Sequence, residues 1–199
     1  MSLLATKGKT FEQPPVGQSI GICYQVIGLG NQRFRDSVNA KVWIGFELPE
    51  HQIEVKGEKK PMTIGKEYAL YLGGKSKLGD MLKTWRGKAF TPEELEGFDV
   101  QTIIGKIGQV AIVERESDPS KRDIQLVLGL IQLQKDALAK GLIPSRPYNM
   151  PCVYNPDEHN EAMWKLVPPF LQKKIQERVI ETDTPAVAAT ADFDDGIPF

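Results

Sequence analysis

Residues 40–48 alternate without interruption. Ala40, Val42, Ile44, Phe46 and Leu48 occupy one register, and Lys41, Trp43, Gly45 and Glu47 the other. A period of two over nine residues is what an extended chain with one face in a core requires, and a helix cannot satisfy it. Pro49 closes the segment. Ahead of it, behind the Pro14-Pro15 breaker, residues 19–29 are rich in Ile, Val, Cys and Tyr and are bounded by Gly17 and Gly30, which predicts a first strand. Beyond Pro49, a charged segment through Lys60 reads as an exposed hairpin loop, and residues 68–72, closed by Gly73-Gly74, read as a third strand.

The period then changes. Leu78, Met81, Leu82 and Trp85 fall on one helix face. Thr91-Pro92-Glu93-Glu94 has the capping-box pattern with proline at the first helical position, predicting a helical turn up to Gly97. Residues 107–114 and 124–133 flank the turn-rich Ser117-Asp118-Pro119-Ser120 as a hairpin. Three strands, a helix and two strands is the order of the OB-fold, a five-stranded Greek-key barrel whose exposed sheet face commonly binds oligonucleotides. The expected architecture is mainly β, with residues 17–140 as the barrel, its helix lying between strands three and four, and residues 1–16 as a flexible arm.

Pro144, Pro147 and Pro151 mark an extended linker after Gly141. Asn155-Pro156-Asp157-Glu158 carries helix-start signals, followed by a short helix through Leu166, a break at Pro168-Pro169 and a second piece over residues 170–178. Trp164, Leu166, Val167, Phe170, Leu171 and Ile175 suffice to dock this appendage, residues 141–180, on the barrel and are too few for an independent domain. Residues 181–199 hold few large apolar groups and cannot offset their own ordering entropy, so a disordered acidic tail is expected.

The chain has 25 basic and 26 acidic residues, a net charge of −1, but the tail holds five of the acids and no Lys or Arg. Residues 1–180 therefore carry 25 basic against 21 acidic residues, a net of +4, and residues 33–88 carry 12 against 7. That excess fits a polyanionic partner. The longest apolar-rich stretch, residues 124–133, falls well short of the roughly 20 residues of a membrane span. The first ten residues lack the order of a secretory signal, so no membrane partner and a cytoplasmic location are expected. Cys23 and Cys152 form no C-x-x-C motif, and His51 and His159 are the only histidines, which suggests neither a disulfide framework nor a metal site. Gly74-Lys75-Ser76 lacks the upstream glycine of a phosphate-binding loop, having Ala69 there, and Gly28 and Gly30 are followed by Arg33 where a dinucleotide fingerprint needs a third glycine. No enzymatic activity and no cofactor are expected.

Binding chemistry has more candidates. Single strands are held by rings on which bases stack and by a positive groove along the phosphates. With Val42, Ile44, Phe46 and Leu48 facing the core, Lys41 and Trp43 face outward together. Trp43 is then either a stacking platform or the floor beneath the C-terminal appendage. Tyr24 and Tyr71, on the first and third strands, are further candidates for stacking or half-buried core residues. Phe34 between Arg33 and Arg35 reads as an Arg-aromatic-Arg finger, or as a staple of its loop. Lys56, Lys59, Lys60 and Lys66 line a phosphate track or a solvated hairpin. Trp85 completes the helix core face, with Arg86 and Lys88 beside it extending a basic rim.

Two sets of motifs carry a family resemblance. The tip Asp192-Phe193-Asp194-Asp195-Gly196-Ile197-Pro198-Phe199 resembles the end of bacterial and phage single-stranded DNA-binding proteins, Asp-Asp-Asp-Ile-Pro-Phe, with Gly196 in place of an aspartate. The opening Gly21-Ile22-Cys23-Tyr24-Gln25-Val26-Ile27-Gly28-Leu29-Gly30-Asn31-Gln32 is similar to that of a family of phage-encoded single-stranded DNA-binding proteins with an OB-fold, although Gly28 stands where Asp is common. Phe46-Glu47-Leu48-Pro49, Trp85-Arg86-Gly87-Lys88-Ala89-Phe90 and Glu94-Leu95-Glu96-Gly97-Phe98-Asp99 extend the likeness over about residues 17–140. The resemblance implies sequence-tolerant protection of single-stranded DNA during phage replication or recombination, in the host bacterial cytoplasm. It also implies that Asp192, Phe193, Asp194, Asp195, Ile197, Pro198 and Phe199 recruit replication and recombination proteins. A second reading is an accessory or annealing factor that acts through the tail and binds DNA weakly. The sequence leaves a homo-oligomeric state open.

Overall fold

In the computed structural model, which describes residues 12–180, the chain runs as β1 (Gly17–Phe34), β2 (Ser37–Val55), β3 (Glu58–Ala69), α1 (Lys77–Arg86), α2 (Pro92–Glu96), a 3-10 turn (Val100–Ile103), β4 (Ile107–Arg115), β5 (Asp118–Leu128), α3 (Gln132–Ala139), β6 (Cys152–Tyr154), α4 (Glu161–Trp164) and α5 (Pro169–Gln176). Most of the N-terminal arm, the acidic tail and its tip lie outside the described residues.

Hydrogen bonding orders the strands β3-β2-β1-β4-β5, all antiparallel, and β6 adds to β1 in parallel. The two ends of this path are drawn together by Lys66 of β3, whose Nζ donates to the Ile124 carbonyl at 2.6 Å and pairs with Asp123 at 3.1 Å, both on β5. The result is a nearly closed, five-stranded, OB-fold-like barrel with α1 between β3 and β4 and small helices at its C-terminal side, as the order of sequence elements implied.

Val42, Ile44, Phe46 and Leu48 are all buried, so the alternation of β2 points where expected. They meet Met62, Ile64 and Tyr68 of β3, Val110 and Ile112 of β4, and Ile124 and Val127 of β5. α1 plugs this core with Leu78, Met81 and Leu82. Its ends are set locally: Ser76 Oγ accepts from Gly79 N at 3.0 Å, and Gly87 at φ 69° returns its N–H to Lys83 O at 2.9 Å. The capping box is also present, with Thr91 Oγ1 accepting from Glu94 N and Glu94 accepting from Thr91 N.

β1 is buried on both faces, which is why it reads as a continuous apolar run rather than an alternation. Cys23 and Val26 belong to the barrel core, whereas Ile27 and Leu29 pack outward against Cys152, Tyr154, Val167, Leu171 and Ile175 of the C-terminal appendage. The two cysteines are unpaired thiols, and burial pushes Cys23 up to about 12 and Cys152 to about 11. Among the described residues no helix is long and apolar enough to cross a membrane.

Several boundaries differ from expectation. The charged segment after Pro49 is not a loop: β2 continues to Val55 and β3 begins at Glu58, turning at Lys56-Gly57, both at positive φ. The third strand is thus residues 58–69, and Tyr71 lies in the loop beyond it. The fifth strand stops at Leu128, and Leu133 belongs to α3. Of the docking residues, Phe170 is 54 % exposed and lies outside the appendage core.

Candidate nucleic-acid interface

Across the outward face of β2 and β3, Trp43 stands opposite Glu67, Gly45 opposite Gly65, and Glu47 opposite Thr63. The two paired glycines leave a bare patch of backbone, and the Trp43 indole lies on it. A β-carbon at Gly65 would stand 2.2 Å from Trp43 Cζ2. Nε1 of the indole donates to Gln25 Oε1 at 3.3 Å, and Phe170 of α5 meets the ring edge-on, with centroids 5.4 Å apart. Trp43 is therefore partly covered by the appendage, one of the two roles open to it from sequence, and half-exposed beside it.

A bulge places the next ring. Cys23 pairs with Phe46 and Gln25 with Gly45, so Tyr24 is the extra residue of β1. It enters the same cleft as Trp43, hydrogen-bonded to Thr63; burial pushes its phenol up to about 12, so it stays protonated in any physiological buffer. The cleft holds about 500 Å³. Its rings are Trp43, Tyr24 and Phe170, its cations Arg115, Lys121 and Arg122, and no carboxylate among the described residues lines it.

The cations come from the two sides of the β4–β5 turn. Arg122 is held by the carbonyls of Pro14 and Pro119, each at 3.0 Å, and Lys121 pairs with Asp118 at 3.0 Å. Arg115 is exposed and forms no ion pair among the described residues. It also borders a second hollow of about 450 Å³ on the far side of Trp43. Two carboxylates there are neutralised, Glu67 by Lys174 and Asp123 by Lys66, leaving Glu116 exposed at the turn.

The residues expected from sequence divide between several places. Tyr24 and Trp43 meet in the cleft, and Lys41 is half-buried two residues before Trp43 on β2. Arg33, Phe34 and Arg35 are exposed at the β1–β2 turn, where Phe34 is 61 % exposed and the Arg35 guanidinium lies 5.3 Å from its ring centroid. Phe34 belongs to neither apolar cluster of the described residues. Lys56, Lys59 and Lys60 sit at the other end of β2, and Lys60 pairs with Glu58 at 2.9 Å. Lys66 closes the barrel. Tyr71 is exposed after β3, its carbonyl accepting from Ser76 Oγ at 2.5 Å. The Arg86 guanidinium lies against both Phe90 and Phe98, 4.6 and 5.1 Å from the centroids of two rings that themselves meet edge-on, and is bonded to Glu94. This places it in packing rather than on a basic rim.

Arg115, Lys121 and Arg122 escaped the sequence reading, and Phe170 entered it only as a docking residue. The first three had a visible signal, since they bracket a turn that the sequence does show. Phe170 had another: Val167, Leu171 and Ile175 repeat every four residues, and residue 170 falls off that stripe.

Gly65→Ala is expected to displace the indole, because the clashing atoms belong to a bulky ring held at Gln25 and Phe170. Overpacking of this kind costs about 1–3 kcal/mol. The check is a urea melt together with the tryptophan emission maximum, which should move to longer wavelength as the ring leaves its bed.

The chain matches no protein-family model and no curated protein. What strand order and barrel closure establish is an OB-fold-like barrel, a shape consistent with nucleic-acid binding in general.

Proposed function

We propose that the protein binds single-stranded DNA along the outward face of β2 and β3, without strong sequence preference and without catalysis. One observation carries the reading: a cleft in which three rings and three cations converge, with no carboxylate among the described residues that line it and only Lys121 of the three cations in an ion pair there, with Asp118. Every base has a π face, so stacking on Trp43, Tyr24 and Phe170 tolerates any sequence, at about 1–3 kcal/mol per base. Arg115, Lys121 and Arg122 are suited to the phosphates between those bases. A cleft favours single strands because bases paired inside a duplex cannot turn into it.

The motif likeness to phage-encoded single-stranded DNA-binding proteins supports the finer reading. In it the protein coats and protects single strands during phage replication or recombination, and residues 192–199 recruit other proteins. Physically, a proline at 198 has few backbone conformations to lose, Phe199 offers a ring, and Asp192, Asp194 and Asp195 suit basic pockets.

The test is the salt dependence of oligothymidylate binding for the wild type and for Arg115→Glu/Arg122→Glu. Each phosphate that the protein ceases to neutralise should reduce the slope of log K against log salt by about 0.7. The double variant is thus expected to show a slope shallower by about 1.4, with weaker binding at low salt. A slope equal to that of the wild type would place the DNA path elsewhere.

A further inference from the structure

Beyond Gly45 the outward face of β2 continues to Glu47 and Pro49, and there the linker between α3 and β6 crosses the sheet. A further cleft of about 760 Å³ opens at this crossing, between Lys59 and Pro61 of the β2–β3 hairpin and Arg146, Tyr148 and Met150 of the linker. We propose that it is a second base-stacking subsite for the same DNA strand, with Tyr148 as the platform and Arg146 and Lys59 as phosphate contacts. The inference rests on the single-stranded DNA reading above.

Tyr148 is 63 % exposed, and its ring stacks on no other ring among the described residues. Its backbone is nonetheless fixed. The Tyr148 N–H donates to Glu47 Oε1 at 2.7 Å, while the Asn149 N–H and Nδ2 donate to Glu47 Oε2 at 2.8 and 2.7 Å. An exposed ring on a pinned backbone is pre-ordered for a ligand, so less entropy is lost when a base stacks on it. Among the described residues Glu47 is the one carboxylate lining this cleft; it is 2 % exposed, and its charge is taken up by those three donors. Phosphate therefore meets Arg146 and Lys59, both exposed and without an ion pair among the described residues. Glu54 faces Lys59 across the strand pair but does not line the cleft.

The two clefts are neighbours on the sheet, since Glu47, which lines this one, pairs across the strands with Thr63, which lines the first. Thr63, opposite Glu47 on β3, is bonded to Tyr24 in the first one. From Trp43 to Glu47 is four residues of β2, about 13 Å at the rise of an extended strand. A single strand leaving Trp43 along β2 arrives at Tyr148.

The experiment is fluorescence anisotropy with labelled oligothymidylates of graded length, comparing wild type, Tyr148→Ala, Tyr148→Phe and Arg146→Glu, with melting temperatures as the folding control. For the shortest strands that bind, Tyr148→Ala should equal the wild type. For long strands it should bind roughly 5- to 150-fold more weakly, the loss of one stacked base, and Tyr148→Phe should restore the affinity. Arg146→Glu should flatten the salt dependence for long strands only. Wild-type affinity of Tyr148→Ala at every length, or an equal loss at every length, would overturn the subsite while leaving the first cleft standing. No binding of the wild type at any length would remove the underlying reading as well. If a peptide of residues 192–199 bound the cleft in a Tyr148-dependent way and Tyr148→Ala left DNA affinity unchanged, the cleft would be a peptide site and the proposal wrong.

Discussion

Replacing Trp43 by alanine is expected to weaken binding to single-stranded DNA by roughly 10- to 100-fold, because the indole is the ring on which the rest of the cleft is built. It lies on Gly65, is bonded to Gln25 and braces Phe170, so its removal takes one platform away and loosens a second. Some stability goes with it, since a half-buried ring also contributes burial. Trp43→Phe separates the two effects. It keeps a stacking face and loses the hydrogen bond to Gln25, so its affinity should stay within a few-fold of the wild type. Labelled DNA is the right reporter, because both variants lose a fluorescent residue. Equal affinity of Trp43→Ala and wild type, with the variant folded, would remove Trp43 from the DNA path.

The second large effect concerns Glu47→Ala. Its carboxylate sits at the sheet surface yet is almost fully buried, and it holds residues 148 and 149 of a linker about a hundred positions away through three hydrogen bonds. Hydrogen bonds to a charged acceptor contribute about 1.5–3 kcal/mol each and are not additive, so a loss of roughly 3 kcal/mol is expected. At about 2–4 °C per kcal/mol for a chain of this size, the melting temperature should fall by about 6–12 °C. The linker should also come free, and chymotrypsin should cut after Tyr148 in the folded variant faster than in the wild type. A shift under about 2 °C with the linker still protected would show that the linker is held by other contacts.

How much of this was legible in the sequence follows from the range of the interactions. Alternation of residues 40–48, the helical spacing of Leu78, Met81, Leu82 and Trp85, and the capping box of Thr91 and Glu94 are local, and they marked β2, α1 and α2. β3 was mostly missed for a physical reason. It is an edge strand that opens on Glu58, Lys59 and Lys60, and Lys66 stands in the core-facing register itself, opposite Ile44, so a charge useful against edge-to-edge pairing interrupts the Met62, Ile64 and Tyr68 alternation. The apolar run into α3 crosses the strand–helix boundary at Ile131, where no Ser, Thr, Asp or Asn cap marks a start and Gln134 accepts from the Ile131 N–H instead. β6 has three residues, too few to show a period.

The site was less legible than the fold. Trp43 and Tyr24 could be picked out because strand parity or residue type exposes them. Phe170 reaches Trp43 only through the docking of α5, and the cations at the β4–β5 turn reach it only through barrel closure. Nor does the sequence record that Lys66 closes the barrel or that Arg86 packs against a pair of phenylalanines. A lysine or arginine in a basic stretch looks the same whether it faces solvent, a carboxylate or a ring.

The central claim is tested most directly by titrating the protein with a fluorescent oligothymidylate at two salt concentrations, following both the label and tryptophan quenching, with a duplex of equal length in parallel. The account predicts tight, salt-sensitive binding to the single strand, quenching of tryptophan and little binding to the duplex; equal binding of the two, or none of either, would contradict it.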